Sequence, residues 1–243
     1  MRMLTFARRN GKEILRDPLN LAFGLGFPLV LLILLSAIQR SVPVSLFEIG
    51  TITPGITVFG LSFMTLFSAT VIAKDRGSSL LQRLYTTPMT PADFILGYTL
   101  PILPIALGQC GVCYLAAILL GLELTAGILY ALLFILPVAL LYIALGLLCG
   151  SVLTDKQVGG ICGALLTNLS AWLAGIWFDL SLVGGVFECI AYALPFVHAV
   201  KLEQAVLAGD FSGIFPHLWW VIGYGAAAFI AAVLLFLRQM KRQ

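Results

Sequence analysis

The sequence predicts an all-α integral membrane protein with six transmembrane helices. Three observations support this prediction: 60% of the 243 residues are hydrophobic, only 10% are charged, and long apolar segments recur along the whole chain. Soluble domains carry about 25% charged residues, and a soluble protein of this size needs more polar surface than this chain offers. We therefore expect lipid to surround most of the chain, which we treat as a single transmembrane domain over residues 1–243.

Six segments are long and apolar enough to cross a membrane. A helix needs about 20 apolar residues to span the hydrocarbon core, and a charge at its centre costs about 2.5–3.5 kcal/mol on insertion scales. Segments without a charge near the middle lie at about 19–38, 52–73, 94–120, 126–153, 157–178 and 216–237. The run from Leu182 to Leu194 is too short to span and contains Glu188, so we expect a short re-entrant or interfacial segment between spans five and six.

The basic residues predict the orientation of these spans. In a six-span arrangement, only Arg40 and Lys201 lie on one side of the membrane. The other side holds 12 of the 14 Lys and Arg residues, in segments 1–18, 74–93, 154–156 and 238–243. Lys and Arg accumulate in cytoplasmic loops. We therefore expect both termini in the cytoplasm of a multi-pass protein of the cell (plasma or inner) membrane, of bacterial origin.

Residues 2–16 are predicted to form an amphipathic helix at the membrane interface. At 100° per residue, Leu4, Ile14 and Leu15 belong to an apolar face, to which Phe6 is an exception. The opposite face carries the basic residues Arg8, Arg9, Lys12 and Arg16. A basic amphipathic helix beside the first span is typical of a cytoplasmic membrane surface. The sequence leaves open whether this helix is a topology anchor or also binds a partner.

The loop between spans two and three carries the most informative motif. From Lys74 to Gly97 it reads KDRGSSLLQRLYTTPMTPADFILG. Ser78 or Ser79 can cap a short helix that runs through Tyr85, before a proline that ends it. Several apolar side chains then share one face at i, i+3 and i+4 spacing, namely Leu80, Leu81, Leu84 and Tyr85. Such a helix could dock into a groove on a cytoplasmic partner.

This loop resembles the cytoplasmic loop of ABC-2 type permeases, the membrane subunits of one class of ATP-binding-cassette exporter. The matching positions are Asp75, Arg76, Gly77, Ser78, Leu80, Arg83, Leu84, Thr87, Pro88, Phe94, Leu96 and Gly97. Two positions depart from the family's pattern: Asp75 stands where Glu is commoner, and Tyr98 where Lys is commoner. A weaker match is the segment from Leu194 to Ala199, which is similar to a Leu-Pro segment before the family's last span. The resemblance extends over essentially the whole chain.

The resemblance implies partners and sites. Two six-span subunits, identical or related, would pair in the bilayer, each on a cytoplasmic ATPase subunit that holds ATP and Mg. The helix from Ser78 to Tyr85 would be the coupling helix, supported by the N-terminal helix. The residues implied in coupling to the ATPase are Arg76, Gly77, Ser78, Leu80, Leu81, Arg83, Leu84, Tyr85, Thr87 and Pro88. The family's passage is lined mainly by spans two and five, and the polar residues there are Ser62, Thr65, Thr167 and Asn168; a packing role fits them equally well.

Missing motifs narrow the function. No Gly-x4-Gly-Lys-(Ser/Thr) phosphate loop occurs, so we expect neither ATP hydrolysis nor a cofactor on this chain. We predict no metal site, since His198 and His217 lack a spaced ligand set, and no nucleic-acid partner, since the net charge is only +3. The lack of an ionisable residue at mid-span argues against proton or sodium coupling. A passive channel and an intramembrane protease remain alternatives, although Ser62 lacks a Gly-x-Ser-Gly setting.

Overall fold

The computed structural model describes residues 2–42, 47–78, 80 and 90–240, and this part of the chain is mostly helical. Two segments, Ala22–Gly26 and Gly159–Leu166, are π-helical. The α-helices are α1 (Arg2–Leu15), α2 (Pro18–Leu21), α3 (Phe27–Ser41), α4 (Ile49–Gly77), α5 (Pro91–Leu120), α6 (Ala126–Val152), α7 (Asp155–Val158), α8 (Thr167–Leu173), α9 (Leu180–Val183), α10 (Gly185–Ala193), α11 (Pro195–Ala208) and α12 (Phe211–Met240).

Five helical stretches of the described chain are long and apolar enough to cross a membrane. They are Pro18–Ser41, Ile49–Gly77, Ala92–Leu120, Ala126–Val152 and Phe211–Arg238. A sixth candidate is the pair α10 and α11, which together have the length of a span but are bent by 74° at their junction. A bend of that size fits the re-entrant segment that the sequence predicts between the last two spans. The all-α membrane fold is therefore confirmed.

The predicted fifth span, 157–178, is the segment whose helix differs most from expectation. Its helical run is built from α7, the π segment Gly159–Leu166 and α8, and it ends at Leu173, because Gly175 turns the chain with φ 69°. The run nevertheless follows α4 along most of its length. Its first residues pack on Ala69 and Ala73, and Ile176, just beyond it, reaches Gly55. Its 19 residues would rise about 28 Å as an ideal α-helix, and the π segment shortens that length. Unlike the other predicted spans, this run is not among the five spanning stretches given above.

Helix α4 forms the centre of the bundle and is buried over most of its length. It packs closely against α6 because two glycines of α6 face it. A Cβ atom at Gly146 would lie 2.6 Å from the carbonyl oxygen of Thr65, and one at Gly150 would lie 2.9 Å from the Cα of Ala69. Small residues let membrane helices approach closely. These glycines therefore serve packing within the chain.

Both ends of the described chain lie at the same end of the bundle. Phe6 of α1 and Phe236 of α12 both contact Phe94 at the start of α5, with ring centroids 5.9 Å and 5.3 Å apart, respectively. Arg40 lies at the opposite end, where its guanidinium donates to the carbonyl of Leu120. The structure therefore places the termini together at the end that carries most of the Lys and Arg residues.

Candidate functional site: the anchored cytoplasmic loop

A buried carboxylate, that of Asp75, lies in the last turn of α4, just before the loop that carries the motif. Asp75 as a whole residue is only 1% exposed to solvent. One carboxylate oxygen accepts from Arg9 Nη1 at 2.7 Å and from the Tyr98 hydroxyl at 3.0 Å. A buried charge is tolerated only when it is paired and hydrogen-bonded. Asp75 therefore connects the end of α4 to α1 and to the first turns of α5.

Helix α1 docks onto α5 through a position without a side chain. A Cβ atom at Gly97 would lie 2.3 Å from the ring of Phe6, so only glycine leaves room for this ring. The same residue's carbonyl oxygen accepts from Asn10 Nδ2 at 3.0 Å. The ring of Phe6 also meets Tyr98 edge to face, with centroids 5.0 Å apart. The Gly97 of the family motif is thus explained by the close approach of α1.

Arg76 points the other way, towards the end of α6. Its guanidinium Nη1 donates to the carbonyl oxygens of Gly150 and Leu153, at 2.7 Å and 3.1 Å. The last carbonyls of a helix lack partners within the helix and carry its negative dipole end, so an arginine there stabilises the terminus. The sequence implied that Arg76 couples to the ATPase. The structure gives it this intramolecular contact, and its role in coupling stays a prediction.

The two ends of the loop are also fixed by hydrogen bonds. After Gly77 ends α4, the Ser78 hydroxyl donates to the Asp75 carbonyl and accepts from the amide of Leu80. At the far end, Thr90 and Asp93 exchange side chain-to-backbone hydrogen bonds in a capping box that starts α5. The remaining residues of the predicted coupling helix lie outside the described residues; these are Leu81, Arg83, Leu84, Tyr85, Thr87 and Pro88.

The four basic residues predicted on one face of α1 have two different environments. Arg9 turns inward to Asp75 and also pairs with Glu13 at 2.6 Å. Burial alone would lower the pKa of Arg9, but the hydrogen bond and charge of Asp75, with the charge of Glu13, outweigh it and raise this pKa. The other three basic residues are exposed, namely Arg8, Lys12 and Arg16.

The four residues proposed for a translocation path are not brought together. Ser62 and Thr65 of α4 are fully buried. The Ser62 hydroxyl donates to the carbonyl oxygen of Phe59, and the Thr65 hydroxyl donates to that of Tyr142 in α6 at 2.8 Å. Thr167 is buried and donates to a carbonyl of its own helical run. Asn168 is exposed on the outer face of that run. Packing explains the first three, and their place in a path stays a prediction.

At the other end of the bundle, the structure joins two histidines that are 19 residues apart. Their Nδ1 atoms lie 2.8 Å apart, and His198 Nε2 lies 3.0 Å from the carbonyl oxygen of Tyr192. Because a carbonyl only accepts, Nε2 of His198 carries the proton, and His217 donates from Nδ1. The ring of His198 stacks on Trp220 at 4.7 Å. The pair joins α11 to α12.

Sequence reasoning missed several buried polar groups, among them Asn10 and Glu203. Asn10 was not singled out, although an amide on the apolar face of an amphipathic helix is a detectable signal of a buried partner. Glu203 was not singled out either, yet it is fully buried in α11, 3.4 Å from the Tyr114 hydroxyl. Its other carboxylate oxygen has no hydrogen-bond partner among the described residues. The argument against ion coupling, which rested on the absence of ionisable residues within the spans, therefore does not extend to α11.

The helical bundle with its apolar spans defines a multi-pass integral membrane protein. A family model described as "ABC-2 type transporter" matches residues 1–207 of the 243. The chain therefore belongs to the ABC-2 type transporter family, as its loop motif indicated. No curated protein matched the chain in a sequence search.

Proposed function

We propose that this chain is the membrane subunit of an ABC-2 type exporter. A separate cytoplasmic ATPase subunit would bind ATP and Mg and hydrolyse the nucleotide, and this chain would move a substrate out of the cytoplasm. The observation that carries the proposal is the anchoring of the loop. Asp75 and Arg76 connect its first end to α1, α5 and α6, and the Thr90 capping box fixes its second end.

This anchoring suits a segment that receives force from a partner. The first end of the loop is held by buried and partly buried polar contacts, and the second end by the exposed capping box at the start of α5. A displacement of the loop would therefore move the helices to which its first end is bound. Helix α4, which leads into the loop, is the most buried helix of the bundle and contacts most other spans. A push on residues 78–90 would therefore be passed to the centre of the membrane domain.

The orientation and a second permease subunit are part of the proposal. The basic end of the bundle would face the cytoplasm, which puts both termini there. Asn168 supports pairing: its Nδ2 donates to the Ala164 carbonyl at 2.8 Å, but the rest of its amide lies on an otherwise apolar, lipid-facing surface, where a polar group is costly unless something covers it. Around it are exposed apolar residues of the same face: Leu165, Leu169 and Trp172. A second copy of this chain or a relative would cover this face.

The test is co-purification of the ATPase. The chain is purified from its native cell in mild detergent, as wild type and as the triple variant Leu80→Asp, Leu84→Asp and Tyr85→Asp. We expect the wild type to retain a stoichiometric ATPase subunit and the variant to lose it. The matched control is Leu124→Asp, at a position that is 80% exposed in the loop at the opposite end of the bundle. A wild-type chain without an ATPase, in detergents that preserve known complexes, would contradict the proposal.

A further inference from the structure

Helix α1 presents three sectors to three different surroundings. At 100° per residue, Phe6, Asn10 and Ile14 form the sector that packs on the protein. Arg9 lies at one edge of this sector, where it pairs with Asp75 of α4. The rest of the circumference of α1 is an exposed arc that no described helix of this chain covers. The sequence grouped Leu4 and Leu15 with Ile14 on one apolar face; the structure buries Ile14 and exposes the two leucines in this arc.

The exposed arc is amphipathic in itself. Leu4 and Leu15, each 62% exposed, lie on the same side of α1, about three turns apart near its two ends. Arg8, Lys12 and Arg16 follow on the same side of the helix at i, i+4 and i+8. In the described part of the chain, the ion pairs of α1 are those of Arg9, and none involves these three basic side chains.

We infer that this arc binds the head groups of anionic phospholipids in the leaflet that surrounds the basic end of the bundle. The two leucines would enter the acyl-chain boundary, and the three basic residues would meet phosphate groups beside it. The position of α1 supports a lipid over a protein partner, because the leucines adjoin the start of a membrane-spanning helix. An ATPase surface would have to cover exposed leucines at the depth where lipid already lies.

The expected preference for anionic lipid follows from the charges of the three basic residues. Each Lys or Arg near an anionic membrane surface contributes about 1 kcal/mol, which is roughly a fivefold preference for anionic lipid. Three such residues give a preference of roughly a hundredfold over a neutral lipid. Salt weakens these exposed contacts, because the Debye length is only about 8 Å at physiological ionic strength. The contact made by Arg9 is different, since it is directed at a buried carboxylate.

The experiment measures which lipids the full-length chain retains. The chain is reconstituted in nanodiscs of equimolar phosphatidylcholine and phosphatidylglycerol, extracted gently, and analysed by native mass spectrometry. We expect the wild type to retain phosphatidylglycerol preferentially. The variant Arg8→Gln, Lys12→Gln, Arg16→Gln should lose most of this preference, and the single variants should each lose about fivefold.

Two controls separate the inference from general effects of charge and folding. Arg9→Gln should keep the lipid preference while it lowers thermal stability. Arg8→Lys with Arg16→Lys keeps the charges and should keep the preference, even if the triple Gln variant folds poorly. An unchanged preference in well-folded triple and single Gln variants would overturn the inference. A second outcome would also overturn it: the triple Gln variant loses the co-purified ATPase in phosphatidylcholine alone but keeps its preference for phosphatidylglycerol. The arc would then bind protein.

Discussion

Replacement of Arg9 by Met would leave the Asp75 carboxylate buried with the Tyr98 hydroxyl as its remaining side-chain partner. Removal of one member of a buried ion pair costs about 3–5 kcal/mol. The side chain of Asp75 is 2% exposed but that of Arg9 is 39% exposed, so part of the interaction is screened by solvent. Reduced for this screening, the expected loss is about 2 kcal/mol. For a chain of this length that corresponds to a fall of about 4–8 °C in melting temperature.

The assay is thermal unfolding of the purified chain in detergent, with all variants scanned at one rate because unfolding of such proteins is often irreversible. The control is Arg8→Met, which removes the same charge from an exposed neighbour and should change stability by less than about 0.5 kcal/mol. The double variant Arg9→Met, Asp75→Asn should lose less than the sum of the two single variants, because the second change removes the unpaired charge. Equal effects of Arg8→Met and Arg9→Met, or strict additivity, would refute the account of this ion pair.

Three further predictions concern close packing and the loop. Gly97→Ala should lower stability by about 1–3 kcal/mol, because the added methyl group meets the ring of Phe6, whereas Gly111→Ala in the same helix has open space and should be tolerated. Gly146→Ala should cost a similar amount in the same thermal assay, since its methyl group meets backbone atoms of α4. Arg83→Glu should abolish transport-coupled ATP hydrolysis in the reconstituted complex while membrane insertion stays normal; normal coupling at normal expression would contradict the assignment of the coupling helix.

The membrane fold was predictable because hydropathy depends on local sequence alone. An apolar run of about 20 residues has few alternatives to a spanning helix. The ends of the runs were less predictable, because they depend on turns and caps. The helix of the fifth predicted span stops at Leu173, and the last helix starts at Phe211 rather than near 216. Ser212 and Gly213 hydrogen-bond to Asp210 at that start and lower the pKa of its carboxyl group.

The candidate site was predictable only in part, because the motif shows which residues belong to it but not what they contact. Asp75 and Tyr98 are 23 positions apart, and Arg9 is 66 positions from Asp75. A helical wheel separates polar from apolar residues, but it does not tell a surface packed on protein from one that faces lipid. Phe6 was therefore treated as an exception on α1, although it is one of the most buried residues of that helix.

The two departures from the family's loop motif meet in space and lead to a last prediction. Tyr98, which stands where Lys is commoner, contacts Asp75, which stands where Glu is commoner. A neutral tyrosine suffices here because Arg9 supplies the positive charge on the same carboxylate oxygen. Tyr98→Lys should therefore rescue Arg9→Met, returning more than half of the lost melting temperature, because a cation again faces Asp75. Tyr98→Phe should deepen the loss instead, since it removes the last side-chain hydrogen bond to that carboxylate. If lysine and phenylalanine gave the same result in the Arg9→Met background, charge at Asp75 would not be what holds α1 to this end of the bundle.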